Sequence, residues 1–442
     1  MPQEAPPPPA SPRPQSLLGR LFANTAWLVG GKGFGAVCSL IYLAILTRSL
    51  GVKEFGHFSL IFGTSQALVA LAGFQSWRVV VRYGVDHIER KDWGAFGRLS
   101  MLAGLIDAAG AAIGCLLAYV AIYQFGDTLN LNPDLVDLAF WFNVAALWAL
   151  ASAPTGIVRA LDRFDLAVYV EAIVPLGRLA AAVAIWLTGP SLLRFLIAWA
   201  VIDLVEAAIY WIVAKRLSPV AVRLSRLSEW RRGLADNPGV IRFFFVTYSS
   251  SSVMAAMKQG PLLAVGYFVG TSAAGLYRLA HQLAQGLSKL STLLMRAAYA
   301  EITRAHAAAG PEEFRRLAVQ TTKVAAIASA AVIALAILLG RPLIELLGGA
   351  EFSQGYLILI PLTAAACFEL AAVAFEPVLH ARDRAKAALV ARLVGLAAMV
   401  AAIFAVAGTD SAAAIAWCVA VGGGVSYLLL GGLTLGTLRR TR

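Results

Sequence analysis

Apolar residues in this 442-residue chain come in blocks of about 20, and few charges interrupt them. A helix rises about 1.5 Å per residue, so each block is long enough to cross the roughly 30 Å hydrocarbon core of a bilayer. The blocks fall near 22–46, 55–76, 99–122, 137–158, 167–188, 192–214, 241–268, 273–295, 319–339, 355–378, 387–407 and 411–436. The chain is 59% hydrophobic and 14% charged, whereas a soluble domain carries roughly 25% charged residues. It has too few polar groups to cover a water-facing surface. A closed barrel would instead show strands of about ten residues that alternate apolar and polar, and these Ala- and Leu-rich blocks do not alternate. The expected fold is therefore an all-α polytopic membrane protein of about 12 transmembrane helices, numbered here as spans 1 to 12.

The net charge of +12 could suggest nucleic acid, but the placement of the charges argues for topology instead. Basic residues cluster in alternate connections: Arg78, Arg82, Arg90, Lys91 and Arg98; Arg159 and Arg163; Lys215, Arg216, Arg223, Arg226, Arg231, Arg232 and Arg242. The series continues with Arg296, Arg304, Arg315, Arg316 and Lys323, then Arg382, Arg384 and Lys386, and both tails add to it. The other connections carry Arg48, Lys53, Arg194 and Arg341. Under the positive-inside rule this asymmetry places both termini in the cytoplasm. The basic excess then meets anionic lipid heads, and no nucleic-acid partner is expected.

Residues 1–16 form a Pro-rich cytoplasmic tail expected to be disordered, and 437–442 a short basic tail. No short apolar run with a cleavage site precedes span 1, so a removable signal peptide is not expected. The expected division is a first lobe at 17–214 (spans 1–6), a cytoplasmic linker at 215–240 containing Pro219 and Pro238, and a second lobe at 241–436 (spans 7–12). The connections 77–98 and 296–318 are amphipathic and read as helices lying along the inner membrane face. Cys38, Cys115, Cys367 and Cys418 lie inside apolar stretches and read as packing residues. The outer connections are short, the His are scattered and there is no Gly-x4-Gly-Lys-[Ser/Thr] loop, so no catalytic set, ATP site, cofactor or metal site is expected.

The two halves share a pattern. Leu50-Gly51 through Gly56-His57-Phe58 joins spans 1 and 2, and Val269-Gly270 through Gly275-Leu276-Tyr277 joins spans 7 and 8. Both read apolar-Gly-x4-Gly-x-aromatic, 219 residues apart. With six spans per half, both halves start from the same side, which makes a parallel repeat; such repeats place a transport pathway between two bundles.

These motifs carry a family resemblance. With Asn24-Thr25-Ala26-Trp27, Thr47-Arg48-Ser49-Leu50-Gly51, Gly349-Ala350-Glu351-Phe352 and His380-Ala381-Arg382-Asp383-Arg384, the chain over roughly residues 17–436 resembles the Wzx-type polysaccharide and O-antigen flippases. These belong to the multidrug/oligosaccharidyl-lipid/polysaccharide (MOP) exporter superfamily. The resemblance implies a MATE-like V-shaped cavity lined mainly by spans 1, 2, 7 and 8. It also implies ion-coupled transfer of an undecaprenyl-pyrophosphate-linked oligosaccharide across a bacterial inner membrane by alternating access. Lipid-linked oligosaccharide, membrane lipids, H⁺ or Na⁺ and polysaccharide assembly proteins are the partners it implies.

A charge at mid-bilayer costs about 2.5–3.5 kcal/mol on insertion scales, so each charge inside a span needs a partner or water. Lys32 in span 1, Lys258 in span 7, and Arg278 and Lys289 in span 8 are candidate cavity cations for an anionic headgroup. Pairing with an acid or snorkelling are the alternatives. Gly31 and Gly33 flank Lys32 as candidate flexible points, and Pro261 should kink span 7 by freeing the Met257 carbonyl. Gln66, Ser250, Gln282 and Gln285 are candidate polar lining; 278, 282, 285 and 289 share one helical face near His281. Arg178 in span 5 faces Asp203 and Glu206 in span 6 as a structural pair or an ion-coupling site. Asp107, Glu369, Glu376 and Arg392 raise the same question. A MATE-like exporter of small molecules and a membrane glycan polymerase or ligase are the rival readings; the basic character of spans 1, 7 and 8 and the lack of a large outer loop weigh against them.

Overall fold

The computed structural model describes the backbone of residues 17–124, 132–304, 311–372, 375, 379 and 385–439, and their side chains except at 17–32, 250, 289–304, 311–325, 385 and 437–439. Among the described residues the chain is helical with no strand. Helix α1 (Leu17–Ala72) holds both of the first two expected spans. Its limbs divide at Gly51, whose φ of 70° is open to a residue without Cβ at little cost. Tyr42 and Phe58 would stand about 24 Å apart along a straight helix. Both nevertheless reach Trp199, with ring centroids at 5.4 and 5.9 Å. The chain therefore doubles back at Gly51.

Helix α2 (Ser76–Glu89) does not cross the molecule. It buries Val79, Val80, Gly84 and His87 on one face and packs against α3 (Trp93–Tyr119) and α5 (Ser152–Ala160). This is the amphipathic helix expected at 77–98. Asp92 caps α3 by accepting from the Ala95 N–H at 2.9 Å, which holds its carboxyl below the usual range. The expected span 4 is split into α4 (Val136–Trp148) and α5, and span 5 into α6 (Phe164–Glu171) and α7 (Ile173–Thr188). Span 6 is α8 (Leu192–Leu217).

After a short helix α9 (Trp230–Ala235), the second half comprises α10 (Val240–Phe268), α11 (Thr271–Arg304), α12 (Pro311–Gly348), α13 (Gly355–Ala372), α14 (Ala385–Val406) and α15 (Ala412–Arg439). Ten helices among the described residues are long and apolar enough to cross a membrane. The difference from twelve has two sources: the limbs of α1 count as one helix, and α11 carries too many polar residues to qualify.

The segment joining the halves is fixed to the first of them. Arg98 on α3 pairs with Asp236 at 2.7 Å and Glu229 at 3.8 Å. Arg226 donates to the Gly94 carbonyl. His87 on α2 meets Asn237 Oδ1 at 2.9 Å, and Asn237 Nδ2 donates to the Gly233 carbonyl at 2.8 Å. Gly239, at φ 85°, then opens α10. Asn237 is 2% exposed, so Asn237→Ala should strand the His87 ring nitrogen and cost about 1–3 kcal/mol. A thermal melt of the purified protein in detergent checks this.

At the far end of the molecule from this segment, the halves meet through their shared motif. A Cβ at Gly56 would stand 2.1 Å from the Thr271 carbonyl oxygen, and one at Gly275 would stand 2.8 Å from that of Val52. Each motif's first glycine, Gly51 or Gly270, has positive φ, and each second glycine admits the other half's backbone. Thr47 Oγ1 donates to the Leu347 carbonyl at 2.8 Å, Arg48 to that of Leu346 at 2.7 Å, and Phe55 stacks edge-on against Phe352 at 5.8 Å. The second limb of α1 also pairs antiparallel with α10. Leu60 faces Gly266, Gly63 faces Leu262, and Tyr248 donates to the Leu71 carbonyl at 2.7 Å.

Candidate functional site

Arg278 on α11 places its guanidinium 4.9 Å from the centroid of Phe62 on α1. Arg178 on α7 lies 5.3 Å from the same ring. One aromatic residue thus holds a cation from each half of the chain, and each such contact is worth about 0.5–2 kcal/mol. No carboxylate pairs with Arg278 among the described residues. His281, one turn on, stacks against Tyr277 at 6.1 Å and feels the charges of both Arg278 and Lys258. Lys258, Arg278 and His281 are therefore gathered where α10 and α11 face the first half. Neither α10 nor residues 271–288 of α11 include an acid.

Gln66, Gln282 and Gln285 are part-buried. A Cβ at Gly33 or Gly260 would meet nothing within 4 Å, so both glycines border open space. Helix α10 continues through Pro261 to Phe268. Four sequence candidates, Gly31, Lys32, Ser250 and Lys289, lie outside the described side chains, as do Glu376 and the run His380–Arg384.

In the first half a cavity of about 410 Å³ is lined by Gln66, Trp77, Thr155, Arg159, Glu171, Arg178, Asp203, Glu206 and Tyr210. Arg178 is 8% exposed and sits between the Phe62 and Trp199 rings. Its terminal nitrogen donates to both Asp203 oxygens, at 2.7 and 2.9 Å, and its Nε has no partner among the described residues. Of the two carboxylates the sequence offered Arg178, Asp203 takes the pair. Glu206 has no ion-pair partner among the described residues and lies within the field of Asp203, Glu171 and Arg178. Nearer the joining segment, Arg159 bonds Glu171 at 2.7 Å and lies over Trp77 at 4.8 Å.

Removing one member of a buried pair leaves an uncompensated charge, at a cost of about 3–5 kcal/mol. Asp203→Ala should therefore sharply reduce the folded yield, and Arg178→Met with Asp203→Leu should recover most of it. Size-exclusion profiles of the membrane extracts check both outcomes.

Several features of the site were not visible in the sequence. Arg159 read, with Arg163, as a basic residue of a cytoplasmic connection; Arg163 does bind Asp165 at 2.8 Å, but Arg159 belongs to the cavity. Phe62 carried no signal, because an apolar residue in a span reads as packing. Asp107, 5% exposed, accepts from the Ala153 N–H at 2.7 Å and so satisfies the N-terminus of α5 from another helix.

The matches to known proteins agree with this architecture. A family model described as polysaccharide biosynthesis protein matches residues 21–306. The chain is 26% identical over 349 residues to the inner membrane protein YghQ of Escherichia coli (strain K12), covering 76% of this chain and 94% of YghQ. Among solved structures it is similar to an inward-facing MATE-family multidrug resistance transporter of the MOP superfamily. That match has a TM-score of 0.68 and 17% identity, covering 92% of this chain and 96% of the other. The lipid II flippase MurJ in an inward closed conformation also gives a TM-score of 0.68, at 14% identity over 92% of this chain and 86% of MurJ. The resemblance drawn from the motifs is thereby met. The chain belongs to the polysaccharide biosynthesis protein family and carries the MATE-like helical fold of the MOP superfamily.

Proposed function

We propose that this protein is a flippase, not an enzyme, which carries a polyprenyl-diphosphate-linked oligosaccharide from the inner to the outer leaflet of a bacterial inner membrane. The observation that carries the reading is the placing of Arg278 over Phe62 of the first half, with His281 one turn on and Lys258 of α10 close enough for its charge to act on His281. A diphosphate cannot cross hydrocarbon unless cations replace its water. Arg278 and Lys258 supply them, with Lys32 and Lys289 as further candidates on spans 1 and 8. Gln66, Gln282, Gln285 and Ser250 are the polar lining proposed for the glycan.

In this reading the twelve spans form two six-helix lobes with both termini in the cytoplasm. The Gly51–Gly56 and Gly270–Gly275 contact is the closed outer gate of an inward-facing state. Pairing of span 2 with span 7 closes one side of the cleft, and the prenyl tail stays in lipid on the other side, between spans 1 and 8. Rocking of the lobes opens the outer side. Inward flow of H⁺ or Na⁺, exchanged for Arg178 at Asp203, would give the cycle its direction.

The test is a strain lacking this protein. Lipid-linked oligosaccharide should accumulate on the inner leaflet and return to the outer one when the gene is restored. Normal outer-leaflet display in the deletion strain would reject the proposal. A product assay that detects chain elongation without translocation would favour the glycan polymerase.

A further inference from the structure

The first-half cavity has a composition that the diphosphate does not explain. It holds three carboxylates (Glu171, Asp203 and Glu206) among two arginines (Arg159 and Arg178). A site built for a diphosphate would carry an excess of cations, and one built for a simple cation would not seat guanidiniums among its acids. Here donors and acceptors alternate over a short distance and the charges nearly cancel.

The groups are also held in place before any ligand arrives. The Arg159 guanidinium is fixed by Glu171 and the Trp77 ring, and that ring is itself fixed by its N–H bond to Gln75 Oε1 at 3.0 Å. Tyr210 Oη lies 3.4 Å from Glu171 Oε1. Among the described residues two groups remain with capacity to spare: the Glu206 carboxylate, which has no ion-pair partner there, and the Nε of Arg178, which is more than nine-tenths buried and has no acceptor there. A buried donor without a partner costs about 1–3 kcal/mol, so a ligand that supplies an acceptor there is favoured.

A pyranose presents a donor and an acceptor on each hydroxyl and has no net charge, which suits this alternation. The volume of about 410 Å³ accommodates a monosaccharide or disaccharide, at the lower end of the range for small-molecule sites. The cavity is also placed to serve the cleft. Its upper wall is Arg178, which shares Phe62 with Arg278. A lipid-linked glycan whose diphosphate lies at Arg278 could therefore turn a sugar into this chamber.

We propose that the cavity between Trp77, Arg159 and Glu206 is a docking subsite for one uncharged sugar unit of the glycan, and that it discriminates against uronic acids. This inference rests on the flippase reading. Glu206 accepts from the sugar hydroxyls and Arg178 Nε donates to one of their oxygens. A carboxylate on the sugar would face Glu206, Glu171 and Asp203 and be repelled.

The experiment is saturation-transfer NMR on the purified full-length protein in nanodiscs. The probes are the methyl glycosides of glucose, galactose and N-acetylglucosamine, with methyl glucuronide as the charged comparator. At least one uncharged glycoside should bind, and the glucuronide should bind at least tenfold more weakly. Glu206→Gln, which keeps the shape and loses the charge, should narrow that discrimination to within a few-fold. Trp77→Ala should remove binding.

Absence of binding by every uncharged glycoside would overturn the assignment. So would glucuronide binding as strong as the others, or Glu206→Gln altering the response to Na⁺ or pH while sugar signals stay unchanged. Sugar binding in a protein that does not translocate would leave the subsite standing and reject the flippase. Translocation without sugar binding would do the reverse.

Discussion

Gly56→Val should stop transport almost completely while the protein still folds and inserts. A Cβ at this position would lie 2.1 Å from the Thr271 carbonyl oxygen and 3.0 Å from Thr271 Cγ2. The obstacle is backbone of the opposing motif, so no rotamer change relieves it. The same substitution at a glycine facing the tip of a side chain, such as Gly63 beside Leu262 Cδ2, is easier to absorb. Valine at 56 therefore holds the two motifs apart and the proposed outer gate open. Overpacking of a well-fitted contact costs about 1–3 kcal/mol, enough to shift a two-state equilibrium by one to two powers of ten. The measurement is labelling of Thr47→Cys, a position with 0% exposure, by an impermeant maleimide added from outside. Labelling should be slow in an otherwise cysteine-free background and fast once Gly56→Val is added. Equal rates would mean that the motif contact is not the gate.

The second large effect is expected at the cations. Lys258→Ala with Arg278→Ala should lower translocation at least 100-fold at an unchanged protein level. A charged hydrogen bond contributes about 1.5–3 kcal/mol, so two lost together account for at least two powers of ten. Each single variant should lose less than the pair. Arg278 also touches Phe62, so Arg278→Lys, which keeps the charge and gives up the planar group, should fall between wild type and Arg278→Ala. Lipid-linked substrate in proteoliposomes is the assay. Full activity in the double variant would remove these residues from the substrate's path.

The comparison of sequence with structure has a physical pattern. The helical membrane fold was legible because hydrocarbon requires every backbone group to be satisfied locally, and that requirement is written in uninterrupted apolar length. The repeated glycines were legible as a pattern but not as a contact. Nothing at Gly51–Gly56 names Gly270–Gly275 as the surface it meets, since close approach is a property of two backbones. The ion pair of Arg178 was legible to within one turn of α8, because a charge inside a span needs a partner, but Asp203 and Glu206 are both within reach in sequence terms.

What stayed hidden falls into two kinds. Phe62 serves two cations through its ring face, and an aromatic residue in a span looks the same whether it packs on leucine or on arginine. Arg159 looks like a loop charge because it lies near a span end; the fold of α5 against α2 and α8 brings it to Glu171 in a cavity wall. The joining segment at 215–240 also read as a tether, since Pro and Gly mark a break in regular structure. Its attachment to α2 and α3 depends on Arg98, His87 and Asn237, residues far apart along the chain.

The central claim is that this protein moves a lipid-linked oligosaccharide across a bilayer. The direct measurement uses proteoliposomes loaded with a polyprenyl-diphosphate oligosaccharide, confined at the start to the leaflet matching the cytoplasm. An impermeant lectin then probes the other leaflet. The account predicts that substrate becomes lectin-accessible with wild-type protein, faster with an inward H⁺ or Na⁺ gradient, and not with Lys258→Ala and Arg278→Ala together. Accessibility no greater than in protein-free liposomes, with folded protein present and a gradient imposed, would contradict it.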